Sequence, residues 1–210
     1  MLTHEEARVL GCLLEKQATT PDAYPLTLNA LTTACNQSSN RDPVVHYSPS
    51  EVETAVLALK TKGLARVVHP GLGERATKYR HVVDEALGLE RDEQAVLCVL
   101  LLRGGQTGGE LRMRTERLHA FASPTDVERV LERLAARDDP LVARLERAPG
   151  QKEARWVQTL EEDPWIGETG SAPAPVAPRA DRVAELEARV SALEARLDRL
   201  TAALEGLVDL

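Results

Sequence analysis

Aromatic residues, paired cysteines and long apolar runs are all scarce in this sequence of 210 residues. Aromatic side chains make up 3% of the chain, which leaves few flat surfaces on which single-stranded bases stack. No apolar run approaches the roughly 18 residues of a membrane-spanning helix, and the first residues do not resemble a signal peptide. Cys12, Cys35 and Cys98 are far apart and lack CxxC spacing, which fits a reducing compartment. We therefore expect a cytoplasmic protein with no membrane segment.

The charge of the chain is acidic overall and unevenly distributed. The formal net charge is −7, so the molecule as a whole is not a polycation that binds nucleic acid indiscriminately. Counted along the sequence, residues 1–90 carry a net charge of −2, residues 91–160 carry +1 and residues 161–210 carry −6. Any face that binds nucleic acid must therefore be local.

The first part of the sequence predicts three helices followed by a β-hairpin. Thr3 with Glu6, and Ser48 with Glu51, have the spacing of capping boxes ahead of apolar residues at helical intervals. Apolar runs on either side of "PGLGERA" predict two strands. The predicted helices end near Ala18, cover residues 27–37 and run from Pro49 to Gly63, and the predicted strands cover residues 64–69 and 77–83. This order is typical of a winged helix-turn-helix domain.

The same order repeats along the following residues, which is the strongest organisational signal in the chain. "ASPTDVERVLERLAAR" echoes "YSPSEVETAVLALKTK", and "LVARLER" and "RWVQTL" flank "APGQKEA" as a second hairpin. The predicted fold class is mainly α with small β-hairpins (α+β), with two tandem winged helix-turn-helix domains and a C-terminal coiled-coil helix. The predicted segments are winged-helix domains over residues 1–88 and 89–160, a Pro/Ala-rich linker over 161–180 and a coiled coil over 181–210.

Four separated motifs resemble one family of bacterial proteins. These are "LTHEEARVLGCLLEK", "YPLTLNALTTACNQSSNRDP", "GELRMRTERLHAF" and "PGQKEARW", which occur in this order between about residues 2 and 160. Together they resemble the YceH-like family. The resemblance implies a tandem winged-helix fold, and it supplies no activity, substrate or catalytic residues. The C-terminal heptad segment lies outside the matching motifs.

Cys35 and the polar run after it are the one place where the residue types suggest catalysis. Cys35 is followed by "NQSSNRDP" and then by His46, so a cysteine nucleophile with a histidine base is one interpretation. The alternative is a buried cysteine, because Cys35 follows Leu31 and Leu28 at helical spacing and points with them into a core. The polar run is then the exit from a helix. We favour this second interpretation, and expect neither an enzyme nor a cofactor or metal site.

Cations cluster on both predicted wings and along the second predicted recognition helix. Such residues are suited to contacting DNA phosphates, and the alternative is a solvated or salt-bridged surface. The candidates are Arg66, Arg75, Lys78 and Arg80 on the first wing, Arg144, Arg147, Lys152 and Arg155 on the second wing, and Arg129, Arg133 and Arg137 on the helix.

The third helix of the first domain is less suited to reading bases. Its outward ridge is Ser50, Thr54, Leu57 and Thr61, without the Arg, Lys, Asn or Gln that usually contact base edges. We therefore carry two functions forward. The first, which the fold and the two basic wings favour, is a DNA-associated regulator that holds duplex phosphates with its wings. The second is a protein-interaction adaptor with Leu57 at an interface, resembling in layout the winged-helix subunits of bacterial chromosome-condensing complexes.

The C-terminal segment has an uninterrupted heptad pattern. Its apolar residues alternate three and four apart, as in a coiled-coil seam, whereas a helix docked on a globular domain usually has a wider stripe. The pattern favours a parallel homodimer, because Arg182 then faces Glu187 and Arg189 faces Glu194 of the other chain. Docking on its own chain is the alternative. The seam residues are Val183, Leu186, Val190, Leu193, Leu197, Leu200, Leu204 and Leu207.

Overall fold

The computed structural model describes residues 1–71, 76–147 and 153–166. Over these residues the protein is an α+β fold of seven α-helices, one 3-10 helix (Pro21–Ala23) and five short antiparallel strands. The predicted α+β class is therefore confirmed. The predicted coiled coil at 181–210 and the predicted wing residues Arg75 and Lys152 lie outside the described residues.

The helices are α1 (His4–Thr19), α2 (Leu28–Cys35), α3 (Pro49–Thr61), α4 (Val83–Leu87), α5 (Arg91–Arg103), α6 (Gly108–Thr115) and α7 (Pro124–Ala135). The strands are β1 (Leu26–Thr27), β2 (Ala65–Val68), β3 (Lys78–His81), β4 (Val142–Arg144) and β5 (Trp156–Gln158).

Both helix starts predicted from capping boxes in the first part of the chain are confirmed. The side chain of Thr3 accepts a hydrogen bond from the Glu6 amide, and the Glu6 carboxylate accepts one from the Thr3 amide. Ser48 and Glu51 make the same pair of bonds at the start of α3. Each box satisfies two backbone N–H groups that have no partner within the helix.

The second helix is shorter than predicted, ending at Cys35 rather than at Gln37. The Asn36 side chain explains the early end, because it donates to the Tyr47 carbonyl and accepts from the Tyr47 amide, both at 2.8 Å. These two bonds turn the chain away from the helix axis and fasten the far end of the connection to α3.

The first sheet contains one strand that the sequence did not predict. β3 lies in the centre, with β2 on one side and β1 on the other, and Tyr79 is opposite both Val67 and Leu26. The predicted second strand was too long, because the chain enters α4 at Val83 instead of continuing to the end of the apolar run. Gly88, with φ of +62°, ends this helix in the left-handed conformation that glycine tolerates best.

The second three-helix segment follows the first in its order of elements. Thr107 with Glu110, and Ser123 with Asp126, form capping boxes at the starts of α6 and α7. β4 and β5 then pair as an antiparallel hairpin with Ala143 opposite Val157. The buried face of α7 is Val127, Val130, Leu131 and Leu134.

One hydrophobic core joins both three-helix segments through the contact between α1 and α5. A Cβ added to Gly11 would lie 2.8 Å from Leu102 Cδ2, so glycine at this position permits the close approach of the two helices. The chain after β5 returns to the N-terminus, where the Leu2 amide donates to the Leu160 carbonyl at 2.7 Å. Residues 1–167 therefore form one compact unit, and the predicted division at residue 88 stays a prediction about its parts.

Candidate functional site

Cys35 lies in the core and not at a site open to substrate. Its side chain has no exposed surface, as its position after Leu31 predicts, whereas His46 is exposed on the loop. A hydrogen bond to Cys12, together with burial, raises the pKa of the Cys35 thiol well above its usual range. A nucleophilic cysteine requires the opposite, an accessible thiolate with a base in reach. The structure does not bring Cys35 and His46 together as a catalytic pair.

The polar run after Cys35 is organised by Arg41, a residue that no local pattern in the sequence marks as buried. The Arg41 side chain is 0% exposed. Its Nη1 and Nη2 atoms donate to the two carboxylate oxygens of Glu15 at 3.1 and 2.7 Å. Its Nε and Nη2 atoms donate to the carbonyl of Ala34, in the last turn of α2, at 3.1 and 2.9 Å. Arg41 therefore ties α1, the end of α2 and the following loop into one polar cluster inside the core.

Two further bonds fasten the same loop to its neighbours. Arg8 of α1 donates to the Pro43 carbonyl at 2.5 Å, and the Asp42 amide donates to the Leu102 carbonyl of α5 at 2.9 Å. The long connection between α2 and α3 is thus a fixed part of the scaffold, consistent with the interpretation we favoured from the sequence.

The first hairpin directs its two described arginines toward one carboxylate. Glu85, on α4, lies 2.6 Å from Arg66 Nη2 and 3.2 Å from Arg80 Nη2. All three side chains are at least partly exposed, so these ion pairs contribute little to stability, but they reduce the positive potential of the hairpin. Lys78 lies beside them on β3 and is half-buried. The sequence does not indicate Glu85 as their partner, because the apolar run through Val83 predicts a strand where the chain enters α4.

Two of the three cations predicted on the second recognition helix, Arg129 and Arg133, are paired with carboxylates of the chain. The third, Arg137, lies beyond the end of α7 at Ala135 and donates to the Leu87 carbonyl. Arg133 lies 2.7 Å from a carboxylate oxygen of Asp92 and 3.3 Å from one of Glu93, at the start of α5. Arg129 lies 3.1 Å from Asp126, one turn earlier on α7. One of the arginines that the sequence predicts on the exposed face of α7, Arg133, therefore joins α7 to α5 through ion pairs.

The second hairpin presents a different arrangement at its two ends. Arg155 points back to the start of α6, where it donates to the Gly105 carbonyl and lies 3.3 Å from Glu110. Arg144 and Arg147 are exposed, and among the residues that the structure describes neither has an ion-pair partner. These two arginines are the part of the predicted phosphate-binding set that remains open to a ligand on this hairpin.

The outward ridge of α3 is exposed and electrically neutral. Leu57 is 42% exposed at its centre, and Ser50, Thr54 and Thr61 are exposed around it, as predicted. The Thr54 hydroxyl donates to the Ser50 carbonyl at 2.9 Å, and the Thr61 hydroxyl donates to the Leu57 carbonyl at 3.1 Å. Both hydroxyls are thus bonded to their own helix, which leaves an apolar contact as the main feature of this surface.

Within residues 1–71, 76–147 and 153–166, no group of three or more His, Cys, Asp or Glu side chains has a metal-binding arrangement. No helix among them is both long enough and apolar enough to cross a bilayer.

Comparison with known proteins identifies a family and close relatives. Residues 2–151 match the sequence model of a family described as "Protein of unknown function, DUF480". The chain is 48% identical over 187 residues to a UPF0502 protein of Geobacter sulfurreducens, covering 89% of this chain and 84% of the relative. It is 53% identical over 160 residues to a UPF0502 protein of Koribacter versatilis, covering 76% and 74%. It is 48% identical over 188 residues to one from Opitutus terrae, covering 89% and 80%.

Proposed function

The chain belongs to the DUF480 family, and from that premise we propose that it is a non-enzymatic tandem winged-helix adaptor that binds a protein partner through α3. The YceH-like resemblance and the cytoplasmic location are parts of the same proposal. Its support comes from the order of elements, from the surface of α3 and from the pairing of the cations.

The order of elements supports the winged-helix part of the proposal. In each half of the described chain three helices precede an antiparallel hairpin, with α1, α2 and α3 before β2–β3 and α5, α6 and α7 before β4–β5. In this arrangement the third helix of each set is the one that usually contacts a target. Because a fold does not determine a function, the target has to be argued from the surface of that helix.

The α3 ridge is the observation that carries the choice of a protein target. Leu57 is 42% exposed, with the uncharged Thr54 and Thr61 on one side of it and the exposed, charged Glu53 and Lys60 on the other. An apolar centre with charges at its edge suits a protein contact, since charged residues are depleted at the centres of protein interfaces. DNA reading requires donors and acceptors directed at base edges. The hydroxyls of Thr54 and Thr61 are instead bonded to the helix backbone.

The pairing of the cations points in the same direction. Arg66, Arg80, Arg129, Arg133 and Arg155 each have a carboxylate of the same chain within 4 Å. A phosphate that recruited any of them would compete with that carboxylate, which weakens the electrostatic attraction on which duplex binding depends. The net charge of −7 adds a long-range repulsion for DNA.

Duplex DNA is the second candidate target, and the second hairpin is the feature that favours it. Arg144 and Arg147 are exposed there without an ion-pair partner in the described chain. Two such cations on a hairpin beside α7 suit sequence-independent phosphate contacts, which position a protein on DNA without reading its sequence.

Self-association completes the proposal. The heptad seam at residues 181–210 would join two chains in parallel, and a Pro/Ala linker would leave the adaptor units free to bind a target together. Two linked copies bind a repeated target with higher avidity than one copy. Docking of the same helix on its own chain would instead leave the protein monomeric.

A matched pair of charge substitutions tests the adaptor surface. Leu57→Asp places a carboxylate at the centre of the α3 ridge, and Met113→Asp does the same at an apolar side chain on α6 that is 70% exposed. In crosslinked cell extracts we expect Leu57→Asp to abolish a specific complex that Met113→Asp retains. Both variants should keep the parent melting temperature, because neither side chain is buried. If Leu57→Asp changes neither the complexes nor the melting temperature, Leu57 is a lone exposed leucine.

A further inference from the structure

A pocket between α1, α5 and α6 combines an apolar floor with a rim of arginines. Its volume is about 260 Å³. Val99, Leu102 and Leu118 contribute apolar surface, and Arg103, Arg114 and Arg117 contribute cations. None of these arginines belongs to the set predicted from the sequence to contact DNA.

Arg103 carries an unsatisfied donor at this pocket. Its Nη1 donates to the Asn40 side chain at 3.2 Å, but its buried Nε has no hydrogen-bond partner among the described residues. Burial and then the nearby positive charge of Arg114 lower the pKa of Arg103. A buried donor without an acceptor is costly, and two guanidinium groups that repel each other add to that cost. An anion between the two guanidinium groups would relieve their repulsion.

The neighbouring carboxylates offset this positive charge only in part. Glu110 forms an ion pair of 3.6 Å with Arg114, longer than a hydrogen bond, and it is shared with Arg155. Asp42 and Glu110 also act on Arg103, where they raise its pKa against the larger effects of burial and Arg114. Glu15 lines the pocket, but both of its oxygens accept hydrogen bonds from Arg41. Glu116 also lines the pocket and is exposed. The positive charge at the rim is therefore only partly compensated.

The chemistry and the size of the pocket together select a class of ligand. Guanidinium groups bind phosphate oxygens through paired, charge-assisted hydrogen bonds. A volume of 260 Å³ corresponds to roughly eight or nine atoms of the size of a water molecule, at about 30 Å³ each. That is enough for a phosphate group and a short carbon chain, which would lie on the apolar floor.

We propose that this pocket binds a small phosphate monoester, with its phosphate between Arg103 and Arg114 and its carbon chain against Leu102 and Leu118. Arg117, at the rim, adds positive charge where the ligand enters. The site goes beyond the adaptor function and does not depend on it. Because the pocket lies where α1 meets α5 and α6, a bound ligand would contact both three-helix segments.

Calorimetry with three probes on the full chain tests the site. Butyl phosphate carries both the phosphate and the chain, inorganic phosphate lacks the chain, and butyrate replaces the phosphate by a carboxylate. We expect butyl phosphate to bind more tightly than either of the others. In Arg103→Gln its affinity should fall about tenfold or more, as for the loss of a hydrogen bond to a charged group. Arg129→Gln, at an exposed arginine on α7, is the matched control and should bind as the parent does.

The outcomes separate a built site from general attraction of anions. Any of three results would overturn the proposal. The three probes bind with equal affinity, Arg103→Gln and Arg129→Gln lose the same affinity for butyl phosphate, or butyl phosphate does not bind at millimolar concentration. If Arg103→Gln does not fold, Arg117→Gln decides, because its side chain is exposed and its removal does not disturb the core. Arg117→Gln should reduce the affinity for butyl phosphate by a smaller factor than the one expected for Arg103→Gln. An affinity equal to that of the parent would contradict the site.

Discussion

Replacing Arg41 by methionine tests whether the polar cluster under the α2–α3 connection stabilises the fold. Methionine keeps an unbranched, flexible chain in place of the guanidinium stem and removes the charge and all the donors. The Glu15 carboxylate would lose both of its bonds to Arg41, and the Ala34 carbonyl at the end of α2 would lose both of its donors. Lys16, 3.2 Å from Glu15, would remain as the carboxylate's ion-pair partner.

The expected loss is large relative to the stability of a small protein. Removing one member of a buried ion pair typically costs about 3–5 kcal/mol, because the other charge stays buried without its partner. Glu15 is nearly buried, and although burial raises its pKa, the hydrogen bonds from Arg41 lower it below its usual value, so it is ionised at neutral pH. Of a total stability of about 5–15 kcal/mol, Arg41→Met should therefore remove a substantial part.

Urea unfolding of the parent, Arg41→Met, Glu15→Met and the double variant measures this directly. We expect a lower midpoint with an unchanged m-value in each single variant. The double variant should lose less free energy of unfolding than the two single variants lose together, because no charge is then left buried without its partner. Arg129→Met is the control on the exposed face of α7. A loss in Arg41→Met no larger than in this control would refute the reasoning.

The other two predictions concern acid stability and assembly. Burial lowers the pKa of His81 from 6.5 to about 4, so the unfolded chain binds a proton that the folded chain does not between these pH values. Stability should therefore rise by roughly 3 kcal/mol from pH 4 to pH 6.5 and then level off for this group. His81→Leu should remove that part of the slope in urea unfolding, and an unchanged slope would contradict the assignment. Truncation after Ile166 should convert a dimer into folded monomers in sedimentation velocity, while a truncated dimer, or an intact monomer at micromolar concentration, would contradict the coiled coil. The truncation is placed after Ile166 so that the shortened chain keeps Trp165, whose carbonyl accepts a hydrogen bond from the Gly105 amide at 3.1 Å.

Local signals in the sequence were sufficient to predict the main helices. The capping boxes at Thr3 and Ser48 mark helix starts because both partners lie within three residues of each other. The spacing of Val52, Val56 and Leu59 likewise places Leu57 on the exposed side of α3, and the structure agrees. These features depend on neighbours in the sequence, so no knowledge of the tertiary fold was needed.

Features that depend on distant partners were missed. Arg41 occurs in a polar run, and its partner Glu15 is 26 residues away, so nothing local indicates that the guanidinium is buried. Arg133 looks like a solvent-facing cation on α7, but its partner Asp92 is 41 residues away on α5. β1 is two residues long, too short to show the alternation by which strands are recognised.

Binding of a labelled duplex of random sequence to the full chain, followed by fluorescence anisotropy from low to physiological salt, tests the proposed function most directly. Nonspecific duplex binding comes from cations that displace counterions, so it is strongest at low salt and decreases steeply as salt rises. The adaptor proposal predicts no measurable binding at micromolar protein even at low salt, because three of the five described hairpin arginines (Arg66, Arg80 and Arg155) are paired with carboxylates of the chain and the outward ridge of α3 carries no cation. Tight binding at low salt, with an affinity that falls linearly on logarithmic axes as salt increases, would contradict it and favour the DNA-associated alternative.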